Sequence, residues 1–472
     1  MANLGTGLTP VLGRIDQDFD ASVERLKTLL RFPSIGVDPA YEAETKACAA
    51  WLAETLQVIG LEAAVRPTAG RPMVVAHDRS APAGAPHLLY YGHYDVQPAD
   101  PLELWESPPF EPVVKEGPHG PRIVARGAVD DKGQVMTFIE AIRAWKAVHG
   151  SLPVRVSILL EGEEEGDGAS MAPFLRANRD EFAADVCVVS DTDMLGPDKP
   201  AITYMLRGTI YAEVTLHGPS HDLHSGGYGG AVVNPINALC RILADLHDDQ
   251  GRVRIQGFYD DVREPDAAEL AAWKELDFDE AAFVDSAGLK ASTGEAGRSV
   301  LERIWSRPTC DVNGIWGGYT GEGAKTVIAA KASAKLSCRL VADQDPVAMM
   351  AALRRFFDER TPTGCHIEFS ELGVAGAMRV PTRSPYLDAA TKAVIDVFGR
   401  PPALVGSGGS IPVVAEIKEI LGLDTILLGF GLDDDRVHSP NEKFELVCFR
   451  RGIETHAALL QRMGELRTAQ SA

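Results

Sequence analysis

The 472 residues carry 67 acidic against 46 basic side chains, a formal net charge of −21. Such a surface repels phosphate backbones and anionic lipid, so neither nucleic acid nor a membrane surface is an expected partner. Hydrophobic residues make up 45%, enough for a large core, and roughly 150 residues per domain allows several units. The N-terminus has no basic segment followed by an apolar one, and no apolar run reaches the ~18 residues of a membrane span. Seven cysteines are scattered with no CxxC, which argues against a disulfide framework and thiolate metal sites. The expectation is a cytoplasmic protein with reduced, mostly buried thiols.

Helical periodicity covers 20–30 and 43–59. An apolar run at 87–91 then leads into Gly92-His93-Tyr94-Asp95. A helix pattern at 132–148 is closed by Gly150. Strands follow at 154–160, ending in acidic residues, and at 185–189, ending in Ser190-Asp191. Another, 425–428, precedes the loop that carries His438. Strands alternating with helices predict an α/β fold with a largely parallel sheet flanked by helices. In such sheets ligands bind beyond the carboxyl ends of the strands, where these acidic residues and histidines fall. The stretch 207–372 reads differently. Its strands at 211–216 and 331–341 alternate apolar and polar, and its helices are 233–246 and 347–357, as in an α+β insert on one antiparallel sheet. Segment 260–298 is polar and reads as a surface excursion. The expected organisation is a catalytic domain in two parts, 1–206 and 373–472, around an insert at 207–372.

Each polar motif has an ordinary explanation when taken alone. His93 with Asp95 suits a hydrogen-bonded structural pair, Asp130-Asp131 suits a helix start, and Glu161–Glu165 suits a solvated run. Asp191 suits a loop cap, and His438 an exposed loop histidine. Taken together at the strand ends of one sheet, two imidazoles and several carboxylates make a nitrogen/oxygen site for Zn²⁺ or Mn²⁺. A shared carboxylate can hold two ions ~3.5–4 Å apart, a pair that activates water and polarises a carbonyl.

The motifs GHYDVQP, RGAVDDKG, LEGEEEG, Ser190-Asp191, HSGGYGG, GAKTV, GGSIP and VHSPNE occur in this order along the chain. In that order they resemble the di-metal dipeptidase family, which includes cytosolic nonspecific (carnosine-type) and Cys-Gly dipeptidases, carboxypeptidase G and succinyl-diaminopimelate desuccinylase. The resemblance spans about 20–465. It implies that His93 and Asp191 hold one metal, Glu165 and His438 the other, and that Asp130 bridges them. It further implies Glu164 as general base toward a water shared by the ions, Asp95 as the group orienting His93, and a cis Asp130–Asp131 peptide. Three glutamates stand where the family usually shows two; we align the pair to Glu164 and Glu165, a register one residue earlier being the alternative. Asp167 stands where a small residue is common. Arg339 resembles the arginine that binds the substrate's free carboxylate, with Thr326 and Ser410 as further hydrogen-bonding groups. His224 resembles a histidine that completes the partner subunit's site, so the insert is expected to serve as lid and dimerisation domain of a homodimer. The expected function is a metallopeptidase acting on dipeptides or short peptides with a free C-terminal carboxylate. An N-acyl amino acid deacylase or desuccinylase is the alternative on the same site, and a non-catalytic binding protein on a hydrolase fold a remote one.

Overall fold

The computed structural model describes residues 7–166 and 168–470, so Asp167 lies outside the described residues. Two compact units make up the chain. One takes in Met1–Tyr204, Val380–Val405 and Glu416–Ala472; the other takes in Met205–Arg379 and Gly406–Ala415. The second unit thus includes a short return segment that carries Ser410, outside the insert as read from the sequence.

The first unit is built on a sheet whose strands follow the order Glu62–Arg66, Met73–Asp78, Arg155–Glu161, His87–His93, Val186–Val189, Thr425–Leu427 and Ala201–Leu206. The four strands from Arg155–Glu161 to Thr425–Leu427 are mutually parallel. Parallel strands covered on both faces read as unbroken apolar runs, and Val186–Val189 is buried throughout. Their shared direction brings the residues after Glu161, His93, Val189 and Leu427 to one edge of the sheet. The flanking pairings are antiparallel; the sequence reading did not contain them, because Met73–Asp78 is almost entirely buried and shows no alternation. Helix Leu8–Leu30 starts well before the expected 20, since Leu8, Val11, Ile15 and Phe19 continue its buried stripe. It packs on Lys132–His149, which also meets Leu446–Gln470. Lys132–His149 ends at Gly150, in a left-handed conformation with φ 70°, as expected of a glycine helix stop.

The second unit has a four-stranded antiparallel sheet ordered Thr309–Gly317, Lys331–Leu340, Gly208–His217 and His366–Ala375. Ile210, Ala212, Val214 and Leu216 point to one face and pack with Leu336, Leu353 and Phe357. Helices Pro235–Ala244 and Pro346–Arg360 each start with a proline behind a side-chain cap, Asn234 and Asp345, an arrangement suited to helix initiation. The 260–298 excursion holds two short helices, Ala267–Lys274 and Glu280–Ser286, and is anchored by buried Trp273. No helix among the described residues is long and apolar enough to cross a membrane.

Candidate metal centre

His93 is the last residue of its strand and fully buried. Its Nδ1 lies 3.1 Å from the Asp95 carbonyl oxygen and 3.4 Å from Asp95 Oδ1. Its Nε2 lies 3.1 Å from Asp130 Oδ1 and 4.0 Å from Asp191 Oδ2. On the other side, His438 Nε2 lies 2.9 Å from Asp130 Oδ2 and 3.2 Å from Glu165 Oε2. The two oxygens of Asp130 therefore face two different imidazoles. Two donor groups result, His93–Asp130–Asp191 and Asp130–Glu165–His438, each with its ligand atoms within 4.8 Å of one another.

Local structure sets each of these positions. The Asp130–Asp131 peptide is cis. Gly133 is required behind it, because a Cβ there would stand 1.9 Å from the Ala128 carbonyl oxygen. Asp131 accepts the His93 backbone N–H at 3.1 Å. Asp95 accepts the backbone N–H groups of Glu164 and Glu165 at 3.2 and 3.1 Å, so one carboxylate supports both His93 and the glutamate turn, a common arrangement behind metal-binding imidazoles. The three glutamates have separate surroundings. Glu163 accepts the N–H groups of Arg71 and Ser170, both at 2.7 Å, and so braces neighbouring loops. Glu165 faces His438, and Glu164 lies in the field of His93, Asp191 and Glu165. Arg436, His438 and Asn441 hold left-handed φ values of 59°, 60° and 64°.

The sequence reading gave no role to Glu442, Gln97 or Arg126. Glu442 accepts backbone N–H groups of Gly127, Val129 and Asp130 at 2.9–3.1 Å. It also pairs with buried Arg126 at 2.8 Å. Gln97 donates to Glu165 Oε2 at 2.9 Å. Each is a lone polar residue on an irregular segment, where periodicity gives no signal; only their places inside GHYDVQP, RGAVDDKG and VHSPNE point to them.

The electrostatics of the cluster form a consistent pattern. Burial pushes Glu164 and Glu165 up, with neighbouring carboxylates adding to it, and raises Asp191 to about 7. The Asp130 and Glu165 carboxylates raise His438 to about 10. Burial opposes the charged form of Asp130, yet hydrogen bonds from His438 and His93 outweigh it and hold its pKa below the usual carboxylate range. Carboxylates crowded in a partly desolvated edge are stable when cations stand among them. The donor set of imidazole nitrogens and carboxylate oxygens fits divalent ions.

In the second unit, Arg339 Nη1 donates to Ser410 Oγ at 2.9 Å. His224 is exposed and pairs by register with Val327, beside Thr326, whose carbonyl accepts the Ser225 N–H at 3.0 Å. The structure thus brings His93, Asp95, Asp130, Glu164, Glu165, Asp191 and His438 together in one unit. It brings Arg339 together with Ser410, and His224 with Thr326, in the other.

Residues 89–462 match Peptidase family M20/M25/M40. The chain belongs to this family. It is a metallopeptidase, hence a hydrolase, and the match to the di-metal peptidases read from the eight ordered motifs is borne out. Cys-Gly metallodipeptidase DUG1 of Saccharomyces cerevisiae is 30% identical, covering 97% of this chain and 98% of that one. Beta-Ala-His dipeptidase of Homo sapiens is 29% identical over 97% and 93%. Among solved structures, the M20 family metallo-carboxypeptidase Sso-CP2 from Sulfolobus solfataricus superposes with a TM-score of 0.83 at 31% identity, covering 94% of this peptidase and 99% of that chain. The α/β fold with a largely parallel sheet is the one this peptidase shares with such neighbours.

Proposed function

We propose that this metallopeptidase hydrolyses dipeptides or similar short peptides with a free C-terminal carboxylate. The observation that carries this reading is Asp130, whose two oxygens face His93 and His438 separately, so that this one carboxylate would serve both ions. His93 and Asp191 would hold one ion, Glu165 and His438 the other, with Zn²⁺ or Mn²⁺ as the species. When bound, the ions supply Lewis acidity toward the scissile carbonyl and toward an attacking water. Glu164 takes the proton from that water and returns it to the leaving amine, a task suited to a carboxyl whose pKa burial has raised. Asp95 fixes the His93 ring. Arg339 forks two hydrogen bonds onto the substrate's terminal carboxylate, with Ser410 beside it and Thr326 contributing a further bond. His224 acts on the partner's site in a homodimer, and the seven free cysteines suit a reducing, cytoplasmic setting. The relatives named as dipeptidases support this choice over a deacylase.

The test is a panel of dipeptides, C-terminally amidated dipeptides and N-acyl amino acids, offered to chelator-stripped enzyme resupplied with Zn²⁺ or Mn²⁺. The expected result is metal-restored turnover of the free-acid dipeptides, with the amides poor. Turnover by protein shown by elemental analysis to be metal-free, or turnover confined to N-acyl amino acids, overturns the reading.

A further inference from the structure

Several inward-facing arginines in this chain are matched by a carboxylate. Arg126 pairs with Glu442, Arg307 with Glu295 and Arg462 with Asp396. Half-buried Arg71 and Arg303 give their side-chain N–H groups to carbonyls and a hydroxyl instead, and so do two arginines of the second unit that stand together, Arg207 and Arg339. Arg339 gives one N–H to Ser410 Oγ. Arg207 gives its Nε–H to the Gly408 carbonyl at 3.1 Å, its backbone N–H to the Gly409 carbonyl at 3.2 Å, and Nη1 to the Arg303 carbonyl at 3.5 Å. Among the described residues neither guanidinium has a carboxylate within ion-pair distance. An acid in their neighbourhood, Asp311, accepts the Thr309 hydroxyl at 3.3 Å and favours charged Arg207 through space without forming an ion pair with it.

Both arginines converge on the same turn, 408–410. Arg207 immediately precedes Gly208, which pairs with Leu340, and Arg339 pairs with Thr209 on one side and Thr309 on the other. Arg339 sits on the face of the sheet opposite its core neighbours Cys338 and Leu340. The two cations are close enough to affect each other: burial and then Arg339 push Arg207 down to about 10. Like charges held together in a partly desolvated place are disfavoured until an anion stands between them. One carboxylate answers one guanidinium; two guanidiniums with no carboxylate at ion-pair distance match a ligand end that carries two.

We propose that Arg207 and Arg339 form a two-cation subsite around the 408–410 turn, and that its ligand is a C-terminal residue with two carboxylates, aspartyl or glutamyl. This rests on the reading of Arg339 as the group that meets the substrate's terminal carboxylate. Arg207 then meets the side-chain carboxylate and sets specificity, in addition to clamping the turn through Gly408 and Gly409.

The experiment compares the holoenzyme with Arg207→Gln and Arg207→Lys, each checked for an unchanged unfolding transition. The substrates are Ala-Asp and its neutral isostere Ala-Asn. The wild type is expected to favour Ala-Asp in kcat/KM by about tenfold or more, the size of one charge-assisted hydrogen bond. Arg207→Gln should lower Ala-Asp about tenfold more than Ala-Asn, and Arg207→Lys should keep part of the preference. Equal losses on both substrates would make Arg207 a clamp only and overturn the subsite. A binding readout decides the matter without turnover. Calorimetry should give succinate about tenfold tighter binding than butyrate, a difference that Arg207→Gln erases. If succinate discriminates but neither dipeptide is cleaved, the subsite stands and the dipeptidase reading falls. If succinate and butyrate bind alike to the wild type, the subsite falls whatever the enzyme cleaves.

Discussion

Glu163, Glu164 and Glu165 are adjacent and chemically identical, and their surroundings separate them. Glu163 is occupied by two backbone N–H groups, which supports placing the base and the ligand at the next two positions. Glu164→Ala is expected to lose roughly 10²–10⁴ in kcat while retaining two metals by elemental analysis. Glu165→Ala should lose metal together with activity. The reverse pattern would move the register by one residue. A second residue-scale consequence concerns acid. His456 is fully buried, packs edge-on against Tyr90, Phe138 and Phe430, and shares a 2.9 Å hydrogen bond with Ser190 Oγ. Burial pushes its pKa from 6.5 to about 3. Because the folded value lies below the unfolded one, its contribution to stability is present above pH 6.5 and is lost as the pH falls toward 3; at pH 5 the loss is about 2 kcal/mol. His456→Phe keeps the ring and removes the titration. Its unfolding free energy should therefore fall less between pH 7 and pH 5 than that of the wild type, and parallel pH curves would refute the assignment.

At the scale of elements, the cluster depends on how the 127–130 turn is held. Glu442 accepts three backbone amides of that turn and pairs with Arg126, both side chains 1% exposed. Glu442→Ala leaves the buried Arg126 guanidinium without its carboxylate, with only carbonyl partners such as that of Pro98, and three amides without their acceptor. A destabilisation of about 3–5 kcal/mol is expected in urea unfolding, with reduced metal content because Asp130 loses its support. Retention of both within error would show the turn to be held by other contacts. The same elements show what could be read in advance. The central strands were legible because parallel strands buried on both faces are continuous apolar runs, and their polar endings fell on one edge once direction was assumed. The outer antiparallel strands were not, since Met73–Asp78 carries no alternation. Helix Leu446–Gln470 was missed, as was the way 406–415 joins Ser410 to Arg339: a short loop's unit is decided by distant contacts that leave no periodic mark. Asp95 was legible as support for His93, whereas its hold on the glutamate turn runs through backbone N–H groups that sequence does not display.

For the whole molecule, the proposed homodimer makes each site depend on two chains. His224 is exposed in its own chain, so an imidazole reaching a partner's site is compatible with its position. A preorganised donor of that kind is worth roughly 10²–10³ in kcat. Mixing inactive His224→Ala with inactive Glu164→Ala under subunit exchange should restore one working site per heterodimer. Heterodimers confirmed by mass but without activity would confine His224 to its own chain or remove it from catalysis. The segment from Arg436 to Asn441 bears on how such an enzyme tolerates heat. Three non-glycine residues there adopt a left-handed backbone, which costs an ordinary L-residue such as Arg436 about 1 kcal/mol or more and asparagine less. Arg436→Gly is expected to raise unfolding stability by about 1 kcal/mol and leave metal content unchanged; a lowered melting temperature would show that the arginine side chain outweighs its backbone. Glycine at 438 would relieve the same conformation and remove a proposed metal ligand. Selection for thermal resistance alone would therefore favour a sturdier protein that has stopped hydrolysing peptides, and a screen of this enzyme for robustness has to score turnover alongside survival.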